Sequence, residues 1–130
     1  MRKYLYVATI AATLTACHSK DEARALLTAV DAYRAANNDN KPTKADALDA
    51  VPCTDKDVCE VKAACTKSAD ATAKGLRLQK EVMERARDAG PYPDDLAAKW
   101  REGKDDLDEG YGLLEECRGK AQALHDRYGL

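Results

Sequence analysis

The chain has 130 residues, 34 % of them charged, a mean hydropathy of −0.60 and a formal net charge of −2. That is room for one soluble domain and not two, with no basic footprint for nucleic acid. Beyond the first residues no hydrophobic run is long enough to span a bilayer. There is no Phe and one Trp. Alanine, the commonest residue, favours helix but buries little area. A small domain built this way needs extra help to stay folded, and the five cysteines can supply it.

The chain opens with a short positive region, Met1-Arg2-Lys3, then a mostly apolar stretch from Tyr4 to Thr13 and small residues ahead of a cysteine. This is the secretory pattern. Leu14-Thr15-Ala16-Cys17 resembles the lipobox of bacterial lipoproteins; the likeness covers about the first seventeen residues. It implies a signal peptide over 1–16, cleavage before Cys17, and a diacylglycerol thioether on Cys17 that holds the protein to membrane lipid. Each buried CH₂ contributes roughly 0.8 kcal/mol, so two or three acyl chains anchor essentially permanently. Residues 17–130 are then a single helical domain on the periplasmic side of the cell envelope. His18 stands where an Asp favours inner-membrane retention in enteric bacteria, which points to the outer membrane. Loss of Arg2 and Lys3 would leave a net charge of −4.

Four helices follow in chain order, at about 20–36, 42–50, 55–88 and 94–128. Ser19-Lys20-Asp21-Glu22 reads as a capping box opening the first, with Ala23, Leu26, Leu27, Val30 and Tyr33 at helical spacing. The tether after Cys17 is almost absent, which places the domain close to the bilayer. Asn37 to Asn40 ends this helix. A short helix carries Pro42 in its first turn and stops at Val51-Pro52. Thr54-Asp55-Lys56-Asp57 reads as a second capping box. The long helix after it shows a stripe of Val58, Val61, Cys65, Ala69, Thr72, Leu76 and Met83. Gly90 and Pro91 end it, and Pro91-Tyr92-Pro93 makes a rigid turn. The last helix starts on Asp94 and Asp95, where the dipole favours acid. It carries a seven-residue pattern: Leu96, Gly103, Gly110, Cys117 and Leu124, beside Trp100, Leu107, Leu114, Ala121 and Tyr128. Gly129 closes it. The expected fold is all-α: an antiparallel helical hairpin packed with an N-terminal helix as a three-helix bundle, with one short extra helix and two disulfides.

With Cys17 taken by lipid, Cys53, Cys59, Cys65 and Cys117 remain, an even number in an exported chain. Cys59 and Cys65 on one continuous helix are about 9 Å apart along its axis, beyond the roughly 7 Å a disulfide tolerates. Cys53–Cys65 is further apart still along the chain. The expected pairs are therefore Cys53–Cys59 and Cys65–Cys117. The second pair has its midpoint at residue 91, Pro91, inside the predicted turn. No C-x-x-C pair is present, so neither metal nor haem ligation is expected; no cofactor is implied.

Asp105, Asp106, Asp108 and Glu109 lack the spacing of an EF-hand loop and read as a solvated helix face. His125 sits near a helix C-terminus, where its cation is favoured. Ser19 and Ser68, the only serines beyond residue 16, suggest no Ser–His–acid grouping. Gly103, Gly110, Gly112 and Gly119 each cost roughly 1 kcal/mol in a helix relative to Ala. They serve either close helix approach or a groove. Trp100 and Tyr111 read as core, and Tyr92 as a contact point. The candidate partner or ligand face is Tyr92, Gly103 and Gly110. The expected function is a non-enzymatic interaction or structural module with an envelope protein partner. The alternative is a small-ligand or peptide carrier.

Overall fold

The computed structural model describes residues 8–88 and 94–130, with side chains from Cys17 onward. The protein is all-helical: α1 (Ala8–Ala35), α2 (Lys41–Asp49), α3 (Lys56–Asp88) and α4 (Asp94–Tyr128). The expected all-α hairpin with a short extra helix is present among the described residues, but the bundle is not the expected three helices with that short one set apart. The short α2 is a full member of the layer that covers the hairpin, with Ala45 and Leu48 buried. The Pro91 turn and Tyr92 lie outside the described residues.

α3 and α4 make the most extensive contact and run antiparallel. Their buried residues repeat every seven positions: Val61, Ser68, Gly75 and Val82, beside Val58, Cys65 and Thr72, on α3, and Leu96, Gly103, Gly110, Cys117 and Leu124 on α4. This seam corrects the α3 stripe drawn above Thr72. Gly75 and Val82 face α4, while Leu76 is half-buried and Met83 is 59 % exposed. Two helices that stay in contact over many turns need a strict seven-residue repeat, whereas a 3.6-residue reading drifts off the seam. Side-chain pairs fix the register. Lys74 meets Asp106 at 3.0 Å, Glu81 meets Lys99, and Arg85 meets Asp95 at 2.8 Å, each pair centred on residue 90.

Two cysteine pairs stand at disulfide distance. Cys53 and Cys59 are 5.4 Å apart at Cα, and Cys65 and Cys117 are 4.6 Å apart. The first ties the loop before α3 to its opening turns; the second crosses the hairpin in the buried seam.

α1 lies against both α3 and α4 in the half of the hairpin remote from the turn, and α2 packs on α3 beside it. Ala23, Leu26, Val30 and Tyr33 of α1 join Ala45, Leu48, Val58, Val61, Ala69, Ala73, Ala121 and Leu124 in one core. Past the corner between α1 and α2 the hairpin continues as two helices alone. That explains a second correction at Trp100, read as core and 40 % exposed; Tyr111, also read as core, is 55 % exposed beside Tyr33 and Lys41 at the corner itself. At the other end Gly129 adopts a φ of +59°, and the Leu130 N–H reaches the His125 carbonyl at 3.2 Å. This is a left-handed helix stop that glycine makes without steric cost.

Candidate functional site

α1 continues back through Ser19 to Ala8, so Ser19 and Glu22 do not cap α1. No glycine or proline interrupts this stretch, and alanine-rich sequence continues a helix without difficulty. The two side chains instead serve α3. Glu22 is 8 % exposed and accepts from the Thr54 N–H (2.9 Å), the Asp55 N–H (2.9 Å) and the Thr54 hydroxyl (2.5 Å). The Ser19 hydroxyl donates to Asp55 at 2.9 Å. Asp55, rather than Thr54, is the N-cap of α3, accepting from Asp57 N–H (2.9 Å) and Val58 N–H (3.2 Å). The Asp55 amide bond holds the Glu22 carboxyl at a pKa of about 2, assisted by the hydroxyl and amide of Thr54 and by His18, against the opposing effect of burial.

Cys17 is exposed and stands one turn of helix ahead of this clamp. His18 Nε2 lies 2.9 Å from Glu22 Oε1, while Ser19 bonds to Asp55. The histidine and the serine thus engage different carboxylates. The same end of the fold gathers the start of α3 and the end of α4, tied by an Arg127–Asp57 ion pair. The anchor candidate therefore occupies the base of the hairpin, far from the end of α3 and the start of α4.

Gly103 and Gly110 belong to the buried α3–α4 seam. A Cβ on Gly110 would collide with the Thr72 hydroxyl and lie 2.8 Å from the Thr72 nitrogen; one on Gly75 would lie 2.6 Å from the Gly103 carbonyl oxygen. The Ser68 hydroxyl donates to the Gly110 carbonyl at 2.7 Å. These glycines let two backbones approach closely. Gly112 and Gly119 face open space. Of the acidic cluster, Asp106 pairs with Lys74 and Asp108 with Lys104. His125 is exposed beside Asp126. Among the described residues no group of three or more His, Cys, Asp or Glu side chains is placed to hold a metal ion.

Two surface depressions flank the corner between α1 and α2. The smaller, about 130 Å³, lies between Tyr33, Lys41, Thr72, Gly110 and Tyr111. Its lysine is already engaged: Lys41 Nζ donates to the Tyr33 carbonyl at 3.2 Å and sits 4.7 Å from the centre of the Tyr33 ring. Burial lowers its pKa. The larger, about 440 Å³, is open and rises from Asn38, Asp39 and Pro42 along α3 past Leu76, Lys80, Met83 and Arg87. Sequence reasoning missed it, because it arises where α1 and α2 stop and not from any local motif. No described helix is long and apolar enough to cross a membrane. No family model, curated protein or solved structure matches the chain.

Proposed function

We propose that this protein is a membrane-anchored lipoprotein of the bacterial envelope, held by acylated Cys17 and acting as a non-enzymatic interaction module on the periplasmic side. One observation carries the reading: Leu14-Thr15-Ala16-Cys17 follows a short cationic start and an apolar stretch. Its physical context supports it. Cys17 is exposed and unpaired, while the other four cysteines stand in two pairs. Lipid on Cys17 would leave that pairing undisturbed. The Glu22 clamp begins five residues later, so the anchor would act on the folded body with almost no slack. The small-ligand alternative drew on Gly103 and Gly110; both pack against α3, and Gly110 also borders the 130 Å³ depression beside Tyr33.

The test is metabolic labelling with an alkyne fatty acid in a bacterial host. The intact chain is expected to take up label and to partition with membranes. Cys17→Ala is expected to lose the label and accumulate at precursor length. Label persisting on the Cys17→Ala chain would overturn the assignment.

A further inference from the structure

The depression of about 130 Å³ lies where all four helices meet. It is lined by Tyr33 and Arg34 from α1, Lys41 from α2, Thr72 from α3, and Tyr111 and Leu114 from α4. Tyr33 and Thr72 are 6 % and 3 % exposed, so the core fixes the floor, whereas Tyr111 is 55 % exposed and forms part of the rim.

The hydroxyls of the floor are already committed. Ser68, which also lines it, donates to the Gly110 carbonyl at 2.7 Å, and Thr72 donates to the Ser68 carbonyl at 3.0 Å. Lys41 is different. Its bond to the Tyr33 carbonyl at 3.2 Å is a side-chain cap on the end of α1 and uses one of its three donors. Two N–H groups remain on a half-buried cation that borders the cavity. Burial lowers its pKa, and no carboxylate acts to raise it. Arg34 supplies a second cation. Its contact with Asp31 is 3.9 Å long and joins two exposed side chains, an ion pair of little worth. Among the described residues no acid lines the cavity. Burial raises the pKa of Tyr33, the Thr72 hydroxyl opposes it, and Tyr111 and Asp70 add to it. Asp70, however, lies about 200° round α3 from both Ser68 and Thr72, near Asp46 and Asp49 of α2.

Size narrows the ligand further. An apolar cavity of about 150 Å³ holds one benzene ring, so this one takes a single ring or a branched aliphatic group of that bulk. Leu114 and the two tyrosines supply carbon walls for it.

We infer that this cavity binds a small monocarboxylate, its ring-sized apolar body held between Tyr111 and Leu114 and its carboxylate paired with Lys41 and Arg34. The site belongs to the folded body and does not depend on an anchor at Cys17.

The test uses the full chain in a deuterated zwitterionic detergent, with empty micelles as the blank. Saturation transfer from protein to ligand protons is followed during titration with benzoate and with benzamide, which has the same shape without the charge. Benzoate is expected to bind with a dissociation constant of about 1 mM, as suits so small a ligand, and about tenfold more tightly than benzamide, the worth of one charge-assisted hydrogen bond. Inorganic phosphate, charged but without an apolar body, is expected not to displace it at equal concentration. Lys41→Gln keeps a donor for the Tyr33 carbonyl and loses the charge. It is expected to bind both ligands alike, with the thermal melt unchanged. Tyr111→Ala, at an exposed position, is expected to weaken benzoate and benzamide equally, by about fivefold. This second variant keeps the test decisive if Lys41→Gln unfolds. No transfer to benzoate, equal affinities in the parent chain, displacement by phosphate, a preference that survives Lys41→Gln, or full affinity in Tyr111→Ala would each overturn the assignment.

Discussion

Glu22 carries more of this fold than its place on the first helix suggests. Its carboxylate takes three hydrogen bonds from Thr54 and Asp55 and joins α1 to the start of α3. Because folding lowers its pKa to about 2 from the ordinary 4.5, its contribution is fully present above about pH 4.5. It is lost as pH falls through about 2, since the unfolded chain then binds the proton more readily than the folded one. Glu22→Gln is therefore expected to melt at lower temperature at neutral pH. It should also lose much of the wild-type decline in melting temperature between pH 4.5 and 2, as followed by circular dichroism. An unchanged acid slope would show the carboxylate to be idle. The glycines within α3 and α4 divide as sharply. Gly75→Ala and Gly110→Ala force the α3 and α4 backbones apart and are expected to cost about 1–3 kcal/mol in urea unfolding. Gly112→Ala and Gly119→Ala add a methyl into open space within a helix and are expected to stabilise by about 0.5–1 kcal/mol.

At the scale of elements, the two disulfides differ in what surrounds them. Cys65 and Cys117 are 2 % and 4 % exposed, inside the seam, whereas Cys53 and Cys59 are both partly open to solvent. A thiolate must reach the sulfur it attacks. Stepwise reduction with alkylation and mass spectrometry is expected to free Cys53 and Cys59 first, with the helical signal intact. Opening Cys65–Cys117, which closes a loop of 52 residues, is expected to cost about 4 kcal/mol. Simultaneous release of all four thiols would contradict this order. The cysteine pairing was readable from the sequence because a helix has a fixed rise, and rise alone decides which sulfurs can meet. The α4 seam was readable for a similar reason, since the seven-residue spacing of Leu96, Gly103, Gly110, Cys117 and Leu124 is explicit. The misplacement of Met83 and Trp100 has a different origin. Both have the composition of core residues, and what exposes them is the length of other elements: α1 and α2 end before reaching them. The role of Glu22 was hidden likewise. A Ser and a Glu three apart satisfy the capping pattern of their own helix, and only the tertiary path shows that they cap another.

For the whole molecule, an anchor on Cys17, as proposed, would set how far the hairpin stands from the membrane. Cys17, the first turn of α3 and the last turn of α4 share the base, and nothing flexible separates Cys17 from the Glu22 clamp. Counted along α4 from Tyr128, Trp100 stands about 40 Å up the hairpin at 1.5 Å per residue. A chain anchored at its base and carrying a net charge of −4 after loss of Arg2 and Lys3 has no electrostatic reason to lie on an anionic surface. A hairpin anchored as proposed is therefore expected to stand off the bilayer, with the flank bearing Met83 and Trp100 away from lipid. The native tryptophan measures this without substitution. In vesicles containing an anionic lipid and a dansyl-headgroup lipid, Förster transfer from Trp100 is expected to be weak and to change little with ionic strength. Strong transfer at low salt that fades as salt is added would describe a hairpin lying along the membrane. In that case the flank bearing Met83 and Trp100 faces lipid.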